Sequence, residues 1–184
     1  GCFDLCLKSA GRGKFNNVVN ARNNKSNLYN NDYEIFIKLL VHELQLHVIN
    51  CKKNNVNPSA RLNVLSDIPY EKTFIFDLFE EIYFYDYTKR SNRLETCNKI
   101  KNYKLMFSYS GKQEYQKQVS KAIEFSNPIA VVFKNEFPKM FLNRPVFNGD
   151  LSDIDNSTKD NHIIALKAKG SLARNSFNDF VVNN

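Results

Sequence analysis

The residues with the plainest chemical potential lie near the carboxyl end, in "DNHIIALKAKGSLARNSF" (160–177). His162 stands directly before an apolar run, and Asn175 opens an Asn-Ser-aromatic triplet that closes on Phe177. An imidazole held by an amide is the base of a thiol hydrolase: the thiolate attacks a carbonyl, the His carries the proton, and the Asn orients the ring. Taken singly, His162 also reads as a loop residue at a strand mouth, and Asn175 as a turn residue in an Asn-rich chain. The pair is what points to chemistry, and it requires a nucleophile.

Four cysteines are available: Cys2, Cys6, Cys51 and Cys97. Their spacing makes neither a CxxC pair nor a zinc site. All four are disulfide candidates if the chain is secreted, with three possible connectivities; in a reducing compartment Cys51 is a small buried residue. Cys6, in "DLCLKSAG", is the rival nucleophile, but the polar, glycine-broken "GRGKFNNVV" behind it suits no buried helix. A second constellation is "HELQLH" (42–47). Zinc peptidases place two histidines four apart on one helical face. His42 and His47 are five apart, about 140° around an ideal helix, so helix-edge histidines are the plainer reading and zinc the alternative. "GRGK" (11–14) lacks the spacing of a phosphate loop.

These residues must be positioned by the elements around them. The chain has 184 residues and 42% hydrophobic content, enough for a real core. It has no apolar run long enough to span a membrane, and its first residues lack a signal-peptide layout. The net charge of +7 comes from 26 basic against 19 acidic residues, scattered without an Arg-rich stripe, so a nucleic-acid partner is not expected. Residues 1–33 are Asn-rich and read as mostly irregular. "YEIFIKLLVHELQLHVINCKK" (33–53) is apolar on nearly all sides at helical period and predicts a long buried helix. The aromatic "EKTFIFDLFEEIYFYDY" (71–87) begins as helix, with a tail equally suited to strand. "NYKLMFSYS" (102–110), "IAVVF" (129–133) and "HIIALKAKG" (162–170) predict strands, and "KQEYQKQVSKAIEF" (112–125) an amphipathic helix ended by Asn127-Pro128. Helices first and strands later predict α+β.

In that order the pieces resemble the papain-like cysteine peptidase family. "NHIIAL" is similar to the family's His strand, "LARNSF" to its Asn turn, "KQEYQKQVSKAIEFSNPIAVVF" to a helix running into a strand, and "FLNRPVFNGD" to an aromatic loop. "HELQLHVINCKKNNVNPSARLNVL" and "FDLFEEIYFYDY" are similar to stretches of the serine-repeat-antigen branch of malaria parasites, which includes forms whose catalytic Cys is replaced. The resemblance covers roughly residues 70–177 well and 33–69 loosely. It implies two lobes within 34–184: a helical lobe (34–100) with the long buried helix, and an antiparallel β lobe (101–184). The family's nucleophile starts that helix, where this sequence has "YNNDYEIFIKLL", with Phe36 or Ile37 at the Cys position and Asn31 near the oxyanion Gln. Neither side chain can attack a carbonyl.

The resemblance therefore implies a catalytically degenerate, non-enzymatic domain. It would bind a protein or peptide partner through a cleft walled by His162, Asn175, Phe177, Asn31, Phe36 and Ile37. It implies no cofactor or metal, and a secreted or lumenal location such as a parasite vacuole or cell surface. An active thiol hydrolase or deamidase using Cys6, His162 and Asn175 is the first alternative, and a zinc metallopeptidase using His42 and His47 the second.

Overall fold

The structure is a computed structural model that describes Gly13 and residues 15–169 and 180–183. Among the described residues it has six α-helices and eight β-strands. The helices are α1 (Asn16–Asn31), α2 (Tyr33–Lys53), α3 (Ile75–Leu78), α4 (Asn92–Cys97), α5 (Gln116–Ile123) and α6 (Asp153–Ser157). The strands are β1 (Ser59–Ala60), β2 (Tyr83–Thr88), β3 (Tyr103–Ser108), β4 (Ile129–Phe133), β5 (Met140–Phe141), β6 (Arg144–Asn148), β7 (Ile163–Lys167) and β8 (Val181–Val182). They form one sheet in the order β1-β2-β3-β4-β7-β6-β5, with β8 added to β4 beyond the end of β3.

Every strand pair is parallel except β5–β6. The protein is thus a mixed α and β fold, but its sheet is not the antiparallel lobe expected above. The physical reason is visible in the chain. "IAVVF" and "HIIAL" are continuous apolar runs, as strands covered on both faces require. Parallel neighbours need a crossover of a dozen or so residues, which the segments holding α4 and α5 supply. The pairing also joins β2 to β3, on opposite sides of the division expected at residue 100.

Residue alternation separates the two faces. On the first, Phe84 of β2, Tyr103, Leu105 and Phe107 of β3, Ile129, Val131 and Phe133 of β4, and Ile163 and Ala165 of β7 form one buried cluster with Phe76, Leu94, Val119, Leu44 and Val48. Phe76 stacks on Tyr103 at 4.3 Å and meets Phe84 edge-on at 5.0 Å. Strands β1 to β4 advance in one direction, and the right-handed crossover rule puts α3, α4 and α5 together on this face. The connection β6–α6–β7 steps the opposite way, and α6 covers the second face: Tyr83 Oη lies 2.7 Å from Ser157 Oγ, and Tyr87 Oη donates to Asp153 at 2.8 Å.

Helix α2 corrects a second expectation. Its Ile37, Leu44, Val48 and Cys51 are buried, while Ile35, Leu39, Leu46 and Ile49 are exposed. It is a surface helix that is apolar on both sides, rather than a buried one. Within the segment expected to be irregular, Asn16–Asn31 is helical, yet none of its residues is buried.

Candidate functional site at the carboxyl edge of the sheet

His162 lies at the amino end of β7. Its ring Nδ1 is 2.8 Å from the Asp160 carbonyl oxygen, and its own carbonyl accepts from the Ile129 N–H. Asn31, Phe36 and Ile37 belong to the α1–α2 junction. Asn31 ends α1 exposed, Phe36 packs edge-on against Tyr29 at 5.3 Å, and Ile37 is buried. Cys2, Cys6, Asn175 and Phe177 lie outside the described residues.

Cys51 and Cys97 are free, buried thiols. Cys51 Sγ is 3.7 and 3.8 Å from the two ring nitrogens of His47. Near-equal distances put the sulfur off the direction in which either nitrogen can share a proton. His47 Nε2 meanwhile lies 3.0 Å from the Ser59 carbonyl oxygen. The contact is packing, not a thiol–imidazole relay. Burial and nearby carboxylates push the Cys97 thiol up to about 12, far from thiolate chemistry. His42 is exposed on α2 while His47 turns toward β1. Among the described residues no group of three or more His, Cys, Asp or Glu could hold a metal ion.

Among the described residues a cavity lies elsewhere, at the opposite end of the strands from His162. It has a volume of about 730 Å³, and Thr88, Ser108, Leu166 and Lys167, at the carboxyl ends of β2, β3 and β7, line it. This is where parallel sheets bring ligands, because side chains from the loops after several strands converge there. The floor is small and apolar, from Ala130, Val132 and Leu166 on the second face, with Phe180 beside them. One wall is the loop 63–67, another the turn 149–153 that leads into α6.

Each wall has a polar anchor. Arg61 lies with its guanidinium 4.5 Å above the Tyr87 ring, and its Nη1 donates to Asp153 Oδ2 at 3.3 Å. Tyr87 Oη holds the other oxygen of Asp153, so arginine, ring and carboxylate brace one another. Burial and then the Asp153 charge push the Tyr87 phenol upward, keeping it a neutral donor. The α6 turn is set by Ser152, whose hydroxyl accepts from the Asp155 N–H as an N-cap. Lys89, at the end of β2, donates to Ser108 Oγ at 3.0 Å and to the carbonyls of Ser108 and Tyr109, and lies 4.8 Å from the Phe180 ring. Asp150 accepts from the Lys167 N–H and pairs with Lys169.

Behind the loop 63–67 is a buried polar network. Asp86 accepts from the Asn63 N–H at 2.9 Å and from its side-chain amide at 3.2 Å. Asn63 Oδ1 in turn accepts from Ser66 Oγ and the Ile68 N–H. Arg93 is bidentate to Glu71 and pairs with Asp67, which also accepts from Thr88. Burial raises the Asp86 carboxyl to about 6, against the pull of Asn63 and Arg61.

Sequence reasoning missed Arg61, Tyr87, Lys89, Asp150 and Asp153. The signal was the parallel sheet itself. Once "YFYDYT", "IAVVF" and "HIIAL" are read as parallel, the residues following each become the candidates.

A mixed α and β protein with a largely parallel sheet, and a cavity where its strands end, is the class that fold and site define. The chain belongs to the gene product 88 family, whose model matches residues 1–183. No curated protein and no solved structure matches it.

Proposed function

We propose that the chain is a non-catalytic binding protein whose ligand, a small organic molecule with an apolar body and an anionic end, occupies the carboxyl-edge cavity. The observation that supports this is the division of the lining. Ala130, Val132, Leu166 and Phe180 offer an apolar bed, and Arg61 presents a planar cation at one wall, oriented by Tyr87 and Asp153. The volume of about 730 Å³ suits such a ligand. An arginine fork matches a carboxylate or phosphate. The reading keeps a non-catalytic binding role but replaces the protein or peptide partner expected from the sequence with a small molecule, and moves the site from the cleft beside His162 to this cavity.

The test is calorimetry and thermal unfolding with a series of aromatic carboxylates and phosphate monoesters, with neutral amides of the same bodies as controls. At least one anion should bind saturably and raise the melting temperature. Arg61→Ala should weaken it at least tenfold, and Ala130→Phe, which fills the floor, should abolish it. Saturable binding of neutral and anionic members alike would remove the anion claim. No binding by any member, or binding untouched by Ala130→Phe, would remove the site.

A further inference from the structure

The two loops that wall the cavity are built inside out. In 63–67 the polar side chains turn to partners within the protein: Asn63 is buried against Asp86, Ser66 donates to Asn63 at 2.8 Å, and Asp67 accepts from Thr88. Between them Val64 and Leu65 are 56 and 42% exposed. The facing turn repeats the arrangement. Asn156 donates to the Gly149 carbonyl at 2.8 Å and Asp150 accepts from the Lys167 N–H, while Leu151 is 87% exposed. All three apolar side chains line the cavity. Facing water they add little to the core, and apolar side chains gathered on a groove mark a place of contact. Their positions are set in advance, because the polar bonds behind them hold each loop, so a ligand has little left to order.

Taking the cavity as the ligand site put forward above, we propose that Val64, Leu65 and Leu151 form an apolar rim that grips the ligand's body, and that this body is an unbranched hydrocarbon chain with a single anionic head, a carboxylate or a phosphate monoester. Floor and rim are continuous. A Cβ on Gly149 would come 3.1 Å from Leu166 Cδ2, so the backbone that leads to Leu151 lies directly on the floor. Arg61 precedes Val64 by three residues, and both line the cavity, so the cation and one side of the rim share a wall. A compact body seated on Ala130 and Val132 leaves the rim wet. A chain anchored at Arg61 can lie along the floor and turn out between the two loops, where each further methylene leaves water.

The test is calorimetry with two series, straight-chain carboxylates and straight-chain phosphate monoesters of four to ten carbons, each below the concentration at which it forms micelles. In at least one series affinity should rise about two- to fourfold per added methylene, as hydrocarbon leaving water requires. Arg61→Ala should weaken every member by the same factor, because it touches only the head. Val64→Ser with Leu151→Ser should cut the gain per methylene by half or more, with the melting temperature of the free chain unchanged because both side chains are already exposed. A flat series whose members still bind through Arg61 overturns the hydrocarbon chain and leaves the cavity standing as a ligand site. A slope that the serine pair does not alter overturns the rim. Absence of binding by every member also overturns the hydrocarbon chain, and the aromatic series described above then decides whether the site falls with it.

Discussion

Asp86 shows how one buried carboxyl organises the wall of the cavity. Its two oxygens hold Asn63, and Asn63 holds the turn through Ser66 and Ile68. Because burial dominates, the folded pKa of about 6 stands above the ordinary 3.8. Between those values the folded chain keeps a proton that the unfolded chain has released. This contribution to stability is therefore fully present below about pH 4 and is lost as pH rises through 6. Urea midpoints of wild type and Asp86→Asn should diverge accordingly: wild type gains on the variant as pH is lowered from 7.5 to 4.5, and a constant difference would contradict the assignment. Gly149, on the facing wall, is required for a steric reason. A Cβ there would lie 2.3 Å from Ile164 Cγ2, a side chain with no exposed surface. Gly149→Ala should cost about 1–3 kcal/mol in denaturant unfolding, the usual penalty for overpacking. It should also weaken any ligand of the cavity, because the turn it enters must move.

At the scale of elements, α5 depends on a residue from another strand. Arg144, buried at the start of β6, donates to the carbonyls of Ile123, Phe125 and Asn127. Those oxygens sit at and beyond the end of α5, so the guanidinium caps a helix carboxyl terminus and fixes β6 to the β3–β4 connection. Arg144→Gln should lower stability by about 2–4 kcal/mol, because buried carbonyls lose charged donors, and Arg144→Lys should recover only part of it. A calorimetric melt decides this, and a change below about 0.5 kcal/mol would deny the capping role. Elements of this kind are also where the sequence was most legible. The run 129–133 is β4 itself, 33–53 is α2, and 162–170 contains β7. Each declares itself through side chains a few positions apart. The burial of α2 did not declare itself, because an apolar residue on a helix does not say whether it faces its own core or another surface. Arg144 left no trace at all, since its three acceptors are backbone.

For the whole molecule, the hidden variable was which strands pair and in which direction. That is decided by contacts such as Ile129 with Ile163, 34 residues apart, and no local period records them. The candidate site inherits the difficulty. Arg61 meets Asp153 across 92 positions, and the two touch because β1, which Arg61 follows, pairs with β2, whose Tyr87 also holds Asp153 of α6. An antiparallel reading scatters these residues, whereas a parallel one gathers them where the strands stop. His162 was prominent in the sequence by rarity and Asn175 by its order after it, and neither rarity nor order carries coordinates.

Among the described residues the sheet ends on strands of two residues each, Ser59–Ala60 and Met140–Phe141. An edge that short presents too few free backbone groups to template a neighbouring strand. The long apolar strands β4 and β7 are flanked on both sides and never become margins themselves. A chain with so much β-prone sequence is thereby guarded against fibrous growth, and only unfolding that strips away the lateral strands would expose its aggregation-prone interior.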